Sequence, residues 1–285
     1  MKLEDHEFIL LRDFIAQHFG IYFDDGRRWV LESKLSRLME RYTFDSFFEY
    51  YNFLMRKFYV SQSFNDPDLI ELINSISNNE TYFCRESGAF RALRENIFPE
   101  ISRRQSFMRI LSAGCSTGAE AYSIAAALLE ADINFYRSCC PVLGVDIDPY
   151  VLKVAEAGVY GESAFRGIND PRRLEEFKNY FTPTTEGRNQ QLFAVVDDLK
   201  NLVDFKQANI LDKQALVSLG KFDIIFCRNV LIYFSDEGKR EAIDNFSEVL
   251  NPEGYLFLGH SESIIGKSND FNTVEKNNHI FYQKD

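Results

Sequence analysis

From Arg109 onward the chain alternates short β-like apolar runs with helix-periodic segments, and this alternation is the feature that most narrows the possible folds. It is the sequence form of a parallel sheet covered by helices on both faces. The strands read as Arg109 to Ala113, Pro141 to Val145, Val203 to Gln207, Phe222 to Cys227 and Gly254 to Gly259. Between them, Ala119 to Ala131 is apolar nearly all round, as a helix buried against a sheet would be, while Glu237 to Leu250 is amphipathic and stops at Asn251-Pro252. The tail, Phe271 to Gln283, carries Asn277-Asn278 between two β-like stretches and reads as a hairpin, which would add an antiparallel last strand.

The first 75 or so residues contain almost nothing strand-like. Phe8, Leu11, Ile15 and Phe19 recur at helical spacing, as do Leu31, Leu35, Leu38 and Tyr42, then Phe47, Tyr51, Leu54 and Phe58. A helical domain over residues 1–75 is expected, with the polar turn Asn65-Asp66-Pro67 opening its last helix and a sheet domain over 76–285. Between Gly167 and Phe205 the connection is too long for one crossover. Gln191 to Val196 reads as an extra strand after the turn-rich run Thr182 to Gly187, so an inserted β-subdomain is expected at about 170–204; a helix with a plain surface loop is the alternative.

Charge and cysteine use exclude several function classes. Lys and Arg total 32 against 43 Asp and Glu, a net charge of −11, where nucleic-acid binders carry a basic excess. No apolar run approaches the roughly 20 residues that cross a bilayer, and the opening MKLEDHEFILLRDF is acidic where a signal peptide is basic, so a cytoplasmic protein without membrane insertion is expected. Five cysteines without a C-x-x-C pair, beside four histidines, indicate neither a disulfide framework nor a metal site. Nothing demands more than a monomer.

Two features of the sheet region point to a ligand. The strand-to-helix turn Ser112-Ala113-Gly114-Cys115-Ser116-Thr117-Gly118 lets backbone approach a ligand closely at a helix N-terminus, yet it is neither the G-x-G-x-x-G of a dinucleotide site nor a phosphate loop. Asp146 follows 28 residues after Gly118 at the end of the next strand, where an acid can accept hydrogen bonds from ribose hydroxyls. A nucleoside without a diphosphate fits both, and S-adenosylmethionine is the common one. Arg228 and Asn229 are polar residues in an otherwise apolar run past the end of another strand, and Tyr233 follows them. The junction Asn79-Glu80-Thr81-Tyr82-Phe83-Cys84-Arg85-Glu86 interleaves polar and aromatic residues; from spacing alone an interdomain linker with a capping Asn or Thr is its plainer reading.

The runs NNETYFCRE, RILSAGCSTGAEAYSIA, GVDID, FDIIFCRNVLIYF and LFLGHSES, in this order, resemble the chemotaxis receptor glutamate methyltransferase family of the CheR type. The similarity extends over nearly the whole chain, including the Gly20-Ile21 turn and Lys34-Leu35-Ser36-Arg37-Leu38. It implies a Rossmann-like α/β sheet binding S-adenosylmethionine, with S-adenosylhomocysteine as product, and methyl esterification of glutamates on the cytoplasmic helices of chemoreceptors. Carried over by position, Asn79, Thr81 and Arg85 would hold the methionine end, with Arg85 also near the incoming carboxylate. Gly114 and Glu120 would contact the cofactor, Asp146 the ribose, and Asn209 and Ile210 the adenine. Arg228 and Asn229 would complete the pocket, with Tyr233 beside the methyl group. The β-subdomain is where some members grip a peptide tether at the receptor's carboxyl terminus. Cys84 stands where the family has a second Phe, and Ala119 and Ala121 replace a Glu and a Pro; a packed thiol is the plainer reading of Cys84.

Methylation of a carboxylate needs no general base, because a glutamate is ionised at neutral pH. That suits a chain with no Ser-His-Asp or Cys-His constellation. Docking an acidic partner on a chain of charge −11 calls for local cations, and Lys34, Arg37 and Arg41, with Arg27 and Arg28 near the helix start, are the expected receptor-facing stripe, against the plainer reading of a solvated helix face. Two competitors remain: a non-catalytic S-adenosylmethionine-binding regulator, and a methyltransferase with another acceptor. Arg85 and Tyr233 argue against the first, and the N-terminal helical domain against the second.

Overall fold

The computed structural model describes residues 2–61, 66–131, 141–184, 191–264, 270–276 and 279–285. Four helices come first: α1 (Asp5–Phe19), α2 (Arg28–Met39), α3 (Phe47–Ser61) and α4 (Pro67–Ile76). Their apolar stripes converge on one core that includes Phe8, Leu11, Ile15, Leu31, Leu35, Phe47, Leu54 and Leu72. A capping box between Glu4 and Glu7 starts α1, and Gly20, at φ 79°, ends it. Asp66 caps α4 with Pro67 in its first turn. Asn65 of that expected turn lies outside the described residues.

Two short helices, α5 (Gly88–Ala92) and α6 (Phe98–Arg104), flank a single π turn and lead to β1 (Ile110–Ala113) and α7 (Ala119–Glu130). Then come β2 (Val142–Asp146), α8 (Pro149–Ala157), β3 (Val159–Gly161), α9 (Pro171–Lys178), β4 (Phe181–Thr184), β5 (Leu192–Val195), α10 (Asp197–Lys200) and β6 (Val203–Gln207). The chain closes with α11 (Lys213–Ser218), β7 (Phe222–Cys227), α12 (Asp236–Val249), β8 (Leu250–Leu258), β9 (Phe271–Lys276) and β10 (His279–Lys284). Helices α8 and α9 start as α4 does, on an Asp cap followed by Pro.

Seven strands form one sheet in the order β6-β2-β1-β7-β8-β10-β9. The first five are parallel and β10 pairs antiparallel to β8, so the tail is the expected hairpin; its Asn277-Asn278 turn lies outside the described residues. Both faces are covered, and alternate residues divide between two cores: Ile224, Phe226, Tyr255 and Phe257 face one, Ile225, Cys227, Leu256 and Leu258 the other. The strand order reverses on either side of β1, which places a crevice at the carboxyl ends of β1, β2 and β7.

A separate antiparallel sheet, β3-β5-β4, occupies the long connection. Its central strand is the extra strand read at Gln191 to Val196. One edge comes from Val159–Gly161, before residue 170, so the sheet draws on residues ahead of the expected insertion. That strand is only three residues long, too short for period-two patterning to register. Of the turn-rich run, Thr185 to Gly187 lies outside the described residues. Phe83 from the junction motif is fully buried against Tyr160, Phe165, Phe177 and Phe181 at the base of this sheet.

Candidate functional site

A cavity of about 320 Å³ opens at the switch point. Asn79, Thr81, Arg85, Gly114, Glu120, Asp146, Asn209, Ile210, Arg228, Asn229 and Tyr233 all line it. The fold brings them together because four of the parallel strands end at this edge: Gly114 follows β1, Asp146 ends β2, Asn209 lies just past β6 and Arg228 follows β7.

Gly114 has φ 75°, and a Cβ there would stand 2.5 Å from Val230 Cγ2. Only glycine allows the β1 turn to pass under the Asn229–Tyr233 loop. Asp146 is buried, and burial is the main cause that raises its carboxyl to about 6. Ser116 N–H donates to its Oδ2 at 2.8 Å and Asp148 N–H to its Oδ1 at 3.0 Å, which leaves further lone pairs on both oxygens. Glu120, in the first turn of α7, accepts from Ser112 Oγ at 2.8 Å and lies 3.5 Å from Arg228 Nη1. Burial raises its carboxyl despite that cation.

Arg228 has a side chain only 1% exposed and organises the junction motif. Its Nη2 donates to Arg85 O at 2.7 Å and to Glu86 Oε2 at 2.8 Å. Burial alone would raise the Glu86 carboxyl, but the hydrogen bond and charge of Arg228 bring it below its ordinary value. Cys84 and Glu86 both sit at φ 54°, so the motif is a tight turn, not an extension of α5. The Arg85 guanidinium, at the cavity, donates to Glu80 O at 3.3 Å and lies 5.4 Å from the Tyr82 ring centroid. Cys84 is packed, and burial pushes its thiol up to about 11. Ala119 and Ala121 are buried in the core beside it.

The structure reassigns several expected residues. Asn209 donates from Nδ2 to His18 O at 2.8 Å and accepts at Oδ1 from Leu211 N–H at 3.0 Å, so its carboxamide ties α1 to the sheet domain. Lys34 turns inward: its Nζ donates to Ser75 O at 2.6 Å and lines the cavity, and burial lowers its pKa. Arg41 pairs with Glu71, and Arg28 with Asp5, across the helical domain. Of the expected docking stripe Lys34, Arg37 and Arg41, only Arg37 stays exposed with no ion pair among the described residues. Lys34 and Arg41 find these partners because α2 packs on α4, whose carbonyls and acids lie within reach of those long side chains, while Arg41 itself stays exposed.

Other site residues carried no signal of their own in the sequence. Asp148, fully buried, caps α8 through Tyr150 N–H and accepts from Asn74 Nδ2 at 2.8 Å and Asn79 Nδ2 at 3.1 Å. The Asp148-Pro149 pair signals a helix cap, but not this second duty. The helical domain supplies a wall of the cavity through Phe19, Ile21, Phe23 and Ile76. Tyr22 N–H donates to Tyr233 O at 2.7 Å, and Asn78 Nδ2 to Tyr233 Oη at 2.6 Å.

The cavity suits a nucleoside with an amino-acid tail. It offers acceptors at Asp146 for hydroxyls, a carboxylate at Glu120 beside Arg228, and a glycine turn that admits a close ligand. Among the described residues, the buried Asn229 Oδ1 and Arg228 Nε have no hydrogen-bond partner, so the polar capacity of two lining residues is not used up within the chain.

Comparison with known proteins agrees. The profile for the "CheR methyltransferase, SAM binding domain" matches residues 79–280, and that for the "CheR methyltransferase, all-alpha domain" matches 6–75. A chemotaxis protein methyltransferase of Borreliella burgdorferi is 37% identical over 94% of this chain and 92% of its own. Chemotaxis protein methyltransferase 2 of Vibrio cholerae is 33% identical over 92% and 87%. Chemotaxis protein methyltransferase 1 of Pseudomonas aeruginosa is 32% identical over 99% of both. Both segments of the chain are matched in order, and the sheet ends in the crevice such a cofactor occupies: the chain belongs to the CheR methyltransferase family and is an S-adenosylmethionine-dependent methyltransferase of chemotaxis.

Proposed function

We propose that this enzyme methylates glutamate side-chain carboxylates on the cytoplasmic helices of chemoreceptors. The observation that carries the proposal is the placement of Arg85. Its guanidinium stands at the same cavity as Asp146 and Glu120, and its one hydrogen bond among the described residues goes to a main-chain carbonyl, so its remaining donors are available to a carboxylate. When bound, S-adenosylmethionine supplies a methyl group on a sulfonium, whose transfer to a carboxylate oxygen forms a C–O bond, breaks a C–S bond and moves no proton.

The chain's own task is then positioning and exclusion of water. Asp146 accepts from the ribose hydroxyls. Asn79, Thr81 and Glu120 hold the methionine end, and Arg228 and Asn229 close the pocket. With the Asn209 carboxamide already engaged, Ile210 and the main chain of Asn209 flank the adenine. Arg85 orients the acceptor carboxylate and Tyr233 stands beside the methyl group. A monomer is the working unit in this reading, since the reaction needs one cofactor pocket and one acceptor. For a receptor's peptide tether the candidate surface is an outer strand of the three-stranded sheet, β3 or β4, since β5 is paired on both sides.

The test is transfer of labelled methyl to receptor-containing membranes, with base-labile release of methanol as the signature of an ester. Arg85→Ala is expected to lower turnover by roughly a hundredfold or more, the scale of losing an oriented charge contact. Wild-type-like methylation by that variant would remove Arg85 from this role.

A further inference from the structure

We propose that Glu262, outside the cavity, is a positioning residue that holds the loop bearing Asn229 and Tyr233 in its working form. The inference rests on the methyl-transfer reading of the site. Four main-chain N–H groups converge on this one carboxylate. Asn229 donates to Oε2 at 2.8 Å and Gly259 to the same oxygen at 2.7 Å, while Val230 and Ile232 donate to Oε1 at 3.0 and 3.1 Å.

The loop needs such an acceptor. Past β7 the backbone leaves the sheet, Asn229 takes φ 61°, and the chain enters a single 3-10 turn at Leu231–Tyr233. The N–H groups of Asn229, Val230 and Ile232 therefore have no ladder to join. A carboxylate accepts at both oxygens and carries the charge that strengthens each bond. The same loop presses Val230 over Gly114 and presents Asn229 and Tyr233 to the cavity. Gly259 leaves room for the arrangement: a Cβ there would stand 2.8 Å from Glu262 Oε2 and 3.0 Å from Asn229 N.

Two variants of the full-length enzyme test the assignment. Glu262→Gln keeps the shape but replaces one acceptor oxygen with an NH2 facing N–H donors. Gly259→Ala keeps the charge and displaces the carboxylate, and it serves if Glu262→Gln does not fold. The readouts are amide hydrogen exchange over 229–232, affinity for S-adenosylhomocysteine, and kcat and KM with receptor at saturating cofactor. Faster exchange, affinity weakened about tenfold, kcat lowered at least about tenfold and a receptor KM within about twofold are expected of a positioning role. Unchanged exchange, or a folded variant that keeps S-adenosylhomocysteine affinity within about twofold, would overturn it. Exchange and affinity are read without receptor, so wild-type enzyme inactive on receptor would overturn the acceptor assignment alone.

Discussion

Cofactor affinity should depend on pH through Asp146. Its carboxyl is raised to about 6, chiefly because burial penalises the charge, against an ordinary value of about 3.9. In the free enzyme the raised value makes ionisation unfavourable to folding, by on the order of 3 kcal/mol once the pH is above 6. This stability is present below the unfolded value near 4 and is lost as pH rises through 6. Binding runs the other way. Ribose hydroxyls need an ionised acceptor, and with a value near 6 the ionised fraction falls from about 0.9 at pH 7 to about 0.1 at pH 5. The dissociation constant for S-adenosylhomocysteine should therefore rise about tenfold over that interval. Titration calorimetry at pH 5, 6 and 7 measures it. In Asp146→Asn, where an NH2 must face the N–H of Ser116 or Asp148, affinity at pH 7 should drop roughly 30- to 100-fold, and the slope should vanish. A wild-type profile flat to twofold, or a tenfold slope kept by the Asn variant, would refute the reasoning, since Glu86 and Glu120 remain in both proteins.

Two further perturbations follow from the packing. Gly114→Ala should cost about 1–2 kcal/mol of stability and weaken cofactor binding, because φ 75° disfavours a side chain and the new Cβ would meet Val230 at 2.5 Å; thermal melting and calorimetry check both effects. Asp148→Ala uncaps α8 and removes the acceptor of Asn74 and of the half-buried Asn79, so a loss of about 1–3 kcal/mol is expected in denaturant unfolding, with cofactor affinity reduced through Asn79.

Most of the sheet was legible in the sequence, because the periodicity that marks a strand or helix is local. The runs from Arg109 to Ala113 and from Phe222 to Cys227 lie within a residue of β1 and β7, and the tail hairpin lies where its two β-like stretches stand. The cavity residues were legible for a related reason: in a parallel sheet the carboxyl ends share one edge, so Gly114, Asp146 and Arg228 must meet once their strands pair. Their identity as a methyltransferase site also leaned on the resemblance carried by the motifs, since the junction motif by spacing alone reads as a linker.

The amino-acid sequence by itself determined most of the strands and helices, though not the three-residue β3, where Asp-Pro pairs start α4 and α8, and which polar residues reach the carboxyl edge of the sheet. Only the tertiary structure decided what those residues bond to. Glu262 meets the Asn229 loop across 33 residues, Asp148 meets Asn74 across 74, and Asn209 meets His18 across 191. Lys34 and Arg41 look like one solvated stripe until α4 packs beside them, giving Lys34 a main-chain carbonyl and Arg41 the carboxylate of Glu71. A side chain's partner is set by how whole elements pack, and no local pattern encodes it: backbone geometry repeats along a helix or strand, whereas the partner across the core follows only from the completed fold.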